Sequence, residues 1–223
     1  MVGTIHVTVY NVAGDSCSID IEPEALAADL KEEVASAWRI PPLCQKFAVG
    51  SSLLGDSEVL GDRCPPGAGS LAVTLLVSLD RVAKELEATQ SPDRQLRGLR
   101  ILATLGLNGG EGAIDALRSR LADKDESVRL MALRTLVAVA GKGNAVAVAA
   151  VSAALDAADD GFRQAALEAL IAVAERGDAR AVAAAGRVLK DPEPRFRRAA
   201  LAALASLAER GSPGAVAAIS ARL

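Results

Sequence analysis

Few residues in this chain are of types that carry out chemistry. Among its 223 residues there is one histidine, His6, and there are three cysteines, Cys17, Cys44 and Cys64. The cysteines are odd in number, none belongs to a C-x-x-C pair, and their spacing matches no zinc site. A histidine-based triad needs a nucleophile and an orienting carboxylate around the ring, and His6 lies in an alternating apolar run that reads as a strand. "LNGGEGA" (107–113) is rich in glycine, but it follows a helical stretch and lacks the lysine that grips phosphate, so it reads as a loop. Asp159 and Asp160 are paired carboxylates at a turn, where such residues usually cap a helix. No catalytic residue, metal ligand or cofactor site is assigned, and the expectation is a protein that is not an enzyme.

Composition narrows the class further. Apolar residues make up 51% of the chain and aromatics only 2%, so the core must be tightly spaced and built from alanine, leucine and valine. No apolar run is long enough for a membrane span, and "MVGTIHVTVYNV" has neither the basic start nor the apolar core of a secretory signal. Unpaired cysteines then point to an intracellular, most simply cytoplasmic, protein. Residues 1–78 carry four basic and ten acidic side chains, against 21 and 18 in residues 79–223. The net charge of −3, with acid and base interleaved, is a poor match to a phosphate backbone, so the expected partners are proteins and not nucleic acids.

The elements that would position any site come from an internal repeat. "VRLMALRTLVAVAGKG", "FRQAALEALIAVAERG" and "FRRAALAALASLAERG" begin at Val128, Phe162 and Phe196, 34 residues apart. Arg129, Arg163 and Arg197 coincide, as do Leu133, Leu167 and Leu201, and Gly143, Gly177 and Gly211. A fainter copy carries Leu99, Leu102, Leu105 and Gly109. Before each long helix lies a shorter one, with apolar residues at three- and four-residue steps: Ile114, Leu117 and Leu121; Val148, Val151 and Leu155; Val182, Ala185 and Leu189. "KDPEPR" reads as the turn between the two, and the glycines as helix C-caps. Asp125, Asp159 and Glu193 precede the arginines by four residues, the order that favours an ion pair within one helix. Ala132, Ala166 and Ala200 allow close approach, and Leu167 and Leu201 are expected in the core. Helix pairs of this kind bury their apolar faces only against neighbours, which makes an α-solenoid. "AVAAISARL" (215–223) matches the short helix of a further unit. It therefore leaves an apolar edge that would aggregate or dock on something, unless the natural protein continues.

This pattern resembles HEAT repeats, especially the short, alanine-rich type of bilin-lyase subunits, and the likeness covers residues 79–223. It implies a scaffold, adaptor or assembly factor. One branch of that family binds iron through His–Glu pairs, which does not apply where the repeats hold no histidine. Specificity in such arrays sits at positions that vary on the fixed frame of the long helices: here Leu130, Gln164 and Arg198, and Arg134, Glu168 and Ala202.

Residues 1–78 follow another plan. Ile5, Val7 and Val9 alternate, then Cys17, Ile19 and Ile21, around "NVAGD", which predicts a hairpin. Leu26, Leu30 and Val34 mark a helix that ends before Ile40-Pro41-Pro42. "QKFAVG" and "SLAVTLLVSL" read as further strands. The order fits a β-grasp, so the expected fold class is α+β: a β-grasp at 1–78 and a HEAT-like solenoid of period 34 at 79–223. The first 78 residues resemble ubiquitin through Glu22-Pro23, Lys31, Ile40-Pro41-Pro42, Gln45, Leu54, Leu60, Asp62 and the strand Leu71–Leu75, placed without a gap over residues 5–76. Leu79 and Asp80 stand where that family carries its conjugating Gly-Gly, so the resemblance implies a domain that cannot be attached to targets. The family's apolar contact patch maps to Val12, Ala48 and Thr74 and is diminished. Trp38, the only tryptophan, either anchors a partner or covers an edge of its own core. With no flexible spacer at "LLVSLDRVAKEL", the domain is expected to cap the first repeat or to offer a second contact. Three functions follow: a protein-binding scaffold or adaptor, an assembly or lyase-type subunit of a pigment–protein complex, and an adaptor of the ubiquitin pathway.

Overall fold

The computed structural model describes residues 4–88, 91–209 and 211–221. Met1–Gly3, Thr89, Gln90, Arg210, Arg222 and Leu223 lie outside the described residues, among them the first residues of "MVGTIHVTVYNV" and the last two of "AVAAISARL". The class is α+β: a five-stranded sheet precedes a run of helices in a solenoid-like array. Contacts gather Met1–Lys84 into one compact unit and Glu85–Leu223 into another.

In the first unit β1 (Ile5–Asn11) and β2 (Ser16–Ile21) form the expected hairpin, with Ile5 opposite Ile21 and Val9 opposite Cys17. β3 (Gln45–Val49), β4 (Ser52–Leu54) and β5 (Ser70–Val77) complete a sheet of order β2-β1-β5-β3-β4. Only the central β1–β5 pair is parallel. Alternation puts Ile5, Val7 and Val9 of β1 and Leu71, Val73 and Leu75 of β5 on one buried face with Phe47. Ala27, Leu30 and Val34 of α1 (Ala27–Trp38) are buried too. Leu26, expected inside that helix, is its N-cap, and Arg39 closes it in the left-handed region (φ 56°), a conformation costly for a side chain other than glycine. The buried Gln45 amide donates to the carbonyls of Lys31 (2.9 Å) and Ile40 (2.7 Å), tying β3 to both ends of this segment.

In the second unit the long helices are α3 (Pro92–Leu105), α5 (Glu126–Val139), α7 (Asp160–Val173) and α9 (Pro194–Leu207). The short ones are α4 (Gly110–Arg120), α6 (Ala145–Ala154), α8 (Ala179–Val188) and α10 (Pro213–Ser220). A further short helix, α2 (Asp80–Leu86), spans the unit boundary. Each long helix packs on the next long helix, each short helix on the next short one, and α5, α7 and α9 also on the short helix before them. Ala132, Ala166 and Ala200 are fully buried, as close packing requires. Side chains of Asp125 and Asp159 cap α5 and α7, and those of Asn144 and Asp178 cap α6 and α8.

Four expectations are corrected here. First, Leu133 and Leu167 are buried, but Leu201 is exposed, because no described element follows α9 on the side where α7 covers α5 and α9 covers α7. Second, Arg129 and Arg163 do not pair with the carboxylates four residues before them; within its own helix Arg163 has only a longer contact to Asp160, at 3.6 Å. Arg129 reaches forward to Asp159 of the next repeat (3.4 Å) and stacks 5.7 Å over the Phe162 ring. Arg163 pairs with Asp191 and stacks 4.1 Å over Phe196. Asp125 and Asp159 are drawn off to cap backbone N–H groups, so the arginines link repeats. In the first repeat Gln95 holds the arginine position and donates to Asp123 at 3.0 Å. Third, the turn is shorter than "KDPEPR", since Pro194 and Arg195 already belong to α9. Pro194 is the first helical residue of α9, where its missing N–H costs nothing. Fourth, Ala140, Ala174 and Ala208 are the C-caps, and the glycines lie three residues further on. Gly143 and Gly177 hold positive φ, and their N–H groups donate at 2.7 Å to the carbonyls of Val173 and Leu207, the last residues of the next long helices.

Two substitutions test this account by chemical denaturation. Leu167→Ala is expected to cost roughly 2–5 kcal/mol, and Leu201→Ala less than about 1 kcal/mol. Arg163→Lys keeps the charge but loses the planar stack on Phe196, and should cost about 1–2 kcal/mol, whereas Arg100→Lys on an exposed face should be neutral.

Candidate functional site

A long helix of the array has committed sides and one uncommitted side. Its buried leucines and alanines face neighbouring helices, and its arginine at the second position of the repeat reaches into the next turn. The remaining ridge is presented outward. On α5 it carries the half-buried Leu130, the exposed Arg134 and the half-buried Val137. On α7 it carries the exposed Gln164 and Glu168 and the half-buried Ile171, and on α9 the exposed Arg198 and Ala202. Gln164 donates to the Glu168 carboxylate at 3.1 Å.

Two of these residues share a groove. A depression of about 300 Å3 between α5 and α7 is lined by Leu133, Val137, Ala165, Ala169 and Ala172, with Arg134 and Glu168 at its rim. The floor is apolar and the rim carries one charge of each sign. Such a surface suits a partner segment with an apolar ridge flanked by an acid and a base. Leu130, Gln164, Arg198 and Ala202 do not line it. The floor residues were absent from the sequence-based set, although Val137 stands seven residues, two helical turns, beyond Leu130 on the same ridge.

A wider depression of about 780 Å3 lies along the short helices α4 and α6, lined in part by Asp115, Arg118, Arg129, Ala153, Asp156 and Phe162. Its origin is one side chain. In the next repeat Arg187 reaches back to Asp156 (3.5 Å) and to the Ser152 carbonyl (3.3 Å), whereas the equivalent residue here is Ala153. Its directional groups are already engaged. Arg129 donates to the Asp123 and Lys124 carbonyls as well as to Asp159, and Phe162 lies beneath it. What remains is mostly alanine, which offers little to recognise.

In the sheet unit Val12 is exposed in the β1–β2 turn. Ala48 is buried on β3 beside the half-buried Thr74 of β5, and Trp38 is half-buried at the last turn of α1. His6 faces outward with Nδ1 2.7 Å from the Asp20 carboxylate. All three cysteines are free, and burial pushes the Cys44 thiol up to about 11, so it stays protonated at neutral pH. No group of three or more His, Cys, Asp or Glu side chains among the described residues is placed to hold a metal ion, and no helix is long and apolar enough to cross a membrane.

The chain leaving β5 is tied down. Ser78 N–H donates to the Cys44 carbonyl at 2.8 Å, Lys46 pairs with Asp80 at 2.5 Å, and Arg81 pairs with Asp56 at 3.2 Å. Asp56 also accepts from the buried Lys31 at 2.6 Å. The Lys31 hydrogen bond holds the Asp56 carboxyl below the usual carboxylate range, and the Lys46 hydrogen bond does the same for Asp80. Both groups are depressed in the folded state. Their stabilisation is therefore complete above the ordinary carboxylate pKa of about 4 and is lost as pH falls through the lower folded values. Trp38 fluorescence during denaturation should show the sheet unit weakening below about pH 4. Asp56→Asn should be less stable than wild type at neutral pH, and the difference should shrink in acid.

The comparisons with known proteins agree with the helical array. A protein-family model for HEAT repeats matches residues 82–171, from α2 through most of α7. No curated protein matches the chain.

Proposed function

We propose that this protein is a non-enzymatic protein-binding scaffold or adaptor that recognises its partner with the outward ridges of its long helices. HEAT repeats are associated with protein interaction, and the chain matches them over residues 82–171. The observation that carries the reading is the groove between α5 and α7, an apolar floor rimmed by Arg134 and Glu168. Leu130, Gln164, Arg198 and Ala202 extend that surface to either side. Specificity in this reading comes from the residues that change from repeat to repeat, since the repeated ones are spent on the stack. The protein acts inside the cell, where its free thiols remain reduced.

The N-terminal unit is, in this reading, a ubiquitin-like β-grasp that serves as cap or second contact. Its support is the sheet order β2-β1-β5-β3-β4 with a parallel central pair and α1 between β2 and β3. The anchored residues Ser78–Arg81 argue against conjugation, because an activating enzyme needs a free tail. With Ala48 buried and Thr74 partly polar, the patch that includes Val12 offers little apolar area, which disfavours a ubiquitin-pathway adaptor. A role in assembling a pigment–protein complex rests on the resemblance alone, and a chromophore-transfer assay would reveal it.

Affinity capture from the native host tests the main reading. Arg134→Glu is expected to weaken retention of specific partners by about tenfold, and Arg198→Glu by less. Arg118→Glu, on the short-helix side, should leave capture unchanged. An identical partner set for wild type, Arg134→Glu and Arg198→Glu would remove the long-helix face from consideration.

A further inference from the structure

Charge on the long-helix ridges changes sign across the array and not along it. Arg100 of α3, Arg134 of α5 and Glu168 of α7 stand 34 residues apart, at one position of three successive repeats. All three are exposed. α3 packs on α5 and α5 on α7, so the three charges form one row that crosses the helices. The same position on α9 is Ala202, where the row ends without a charge. Along any one helix the ridge shows a single charge, as on α5, where Arg134 lies between Leu130 and Val137.

These charges are left open by the chain itself. Elsewhere in the helical unit arginines pair with acids: Arg94 with Glu85, Arg118 with Asp115 and Arg187 with Asp156. Neither Arg100 nor Arg134 has an acid three or four residues away on its own helix, and Glu168 has no base at those places. Among the described residues the side chains of Arg100 and Arg134 make no ion pair or hydrogen bond, and Glu168 accepts only from Gln164. Arg134 and Glu168 stand at the rim of the α5–α7 groove without pairing across it.

The shape of the row says what conformation can read it. A helix laid along the α5–α7 groove would reach Arg134 and Glu168 but not Arg100, one helix further on. A helix laid across the array is about 10–12 Å thick and would ride on the crests, its backbone held away from the groove floor. A single extended chain is thin enough to lower a side chain between α5 and α7. Packed helices stand about 8–10 Å apart. A polyproline II chain advances about 3.1 Å per residue and returns to the same face every third residue, about 9 Å on. A β-strand has period two and would turn every third side chain away.

We infer that the Arg100–Arg134–Glu168 row seats an extended, polyproline II segment of a partner protein. Its charges come at every third residue in the order acid, acid, base, read from either end, and an apolar residue between the second acid and the base enters the α5–α7 groove. This rests on the long-helix reading proposed above and adds to it the partner's conformation and charge order.

The probe is a synthetic proline-rich peptide with Asp, Asp and Arg at every third position and Leu after the second Asp. It is titrated into the full chain up to millimolar concentration and followed by NMR amide shifts, which are expected on α3, α5 and α7. Exchanging the middle Asp with the Arg keeps the composition and mismatches both chain directions, and should weaken binding about tenfold or more. Arg100→Glu or Arg134→Glu in the chain should do the same, and both residues are exposed, so the fold stays intact. A peptide with Arg in place of the middle Asp should bind the Arg134→Glu chain about tenfold more tightly than wild type. The inference is overturned if a helical peptide with the same charges at seven-residue spacing binds more tightly than the proline-rich one. If capture from the host responds to Arg134→Glu but the proline-rich peptide does not bind, or binds in both charge orders alike, the inference is overturned and the scaffold reading stands. If neither capture nor peptide responds to Arg134→Glu, both fall.

Discussion

The helical unit depends on one recurrent handover between successive long helices. A leucine of one helix is buried by the next, an arginine of one turn stacks on the next phenylalanine and meets an acid, and a glycine N–H closes the next helix's last carbonyl. Burying a leucine contributes about 1.5–3 kcal/mol, more than the arginine contact, which is partly solvated. The leucines supply the stability. The directional contacts set the register, since a stack of alanine-rich helices has few large side chains to prevent sliding.

This handover explains why the unit holds so little free chemistry. Charged residues at repeated positions are consumed in linking repeats, and cap residues are consumed in starting helices. What is left for recognition is the set of positions that differ between repeats. Arg134 and Glu168 are such a pair, equivalent by spacing and opposite in charge, and the groove between their helices is edged by that difference. The gap along α4 and α6 has the same kind of cause, an alanine at 153 where the next repeat has Arg187.

The sheet unit is built on another constraint. Its parallel β1–β5 pair sits at the centre, so the chain leaves β5 from the middle of the sheet and not from an edge. Lys46 and Asp56, on β3 and just after β4, then hold Asp80 and Arg81 by opposite charge. Lys31 is buried with its charge paired, because Asp56 stands against its ammonium group. The ties around Ser78–Arg81 come from residues far apart in sequence.

Helix existence, strand alternation and the 34-residue period were legible in the chain because each is a local rule. Side chains three or four residues apart share a helix face, and those two apart share a sheet face. The variable positions Arg134 and Glu168 were legible for the same reason. The direction of Arg129 and Arg163 was not, because a carboxylate four residues away in sequence and one thirty residues away compete equally well on paper, and helix capping had already claimed the nearer one. The role of the glycines was hidden as well, since the carbonyls they meet belong to the next repeat. Sequence by itself determined that helices form, how they repeat and which of their faces are apolar. Only the tertiary structure decided which of those faces are covered, because burial is a property of neighbours: Leu133 and Leu201 are the same residue in the same repeat position, and only one of them has a helix lying on it.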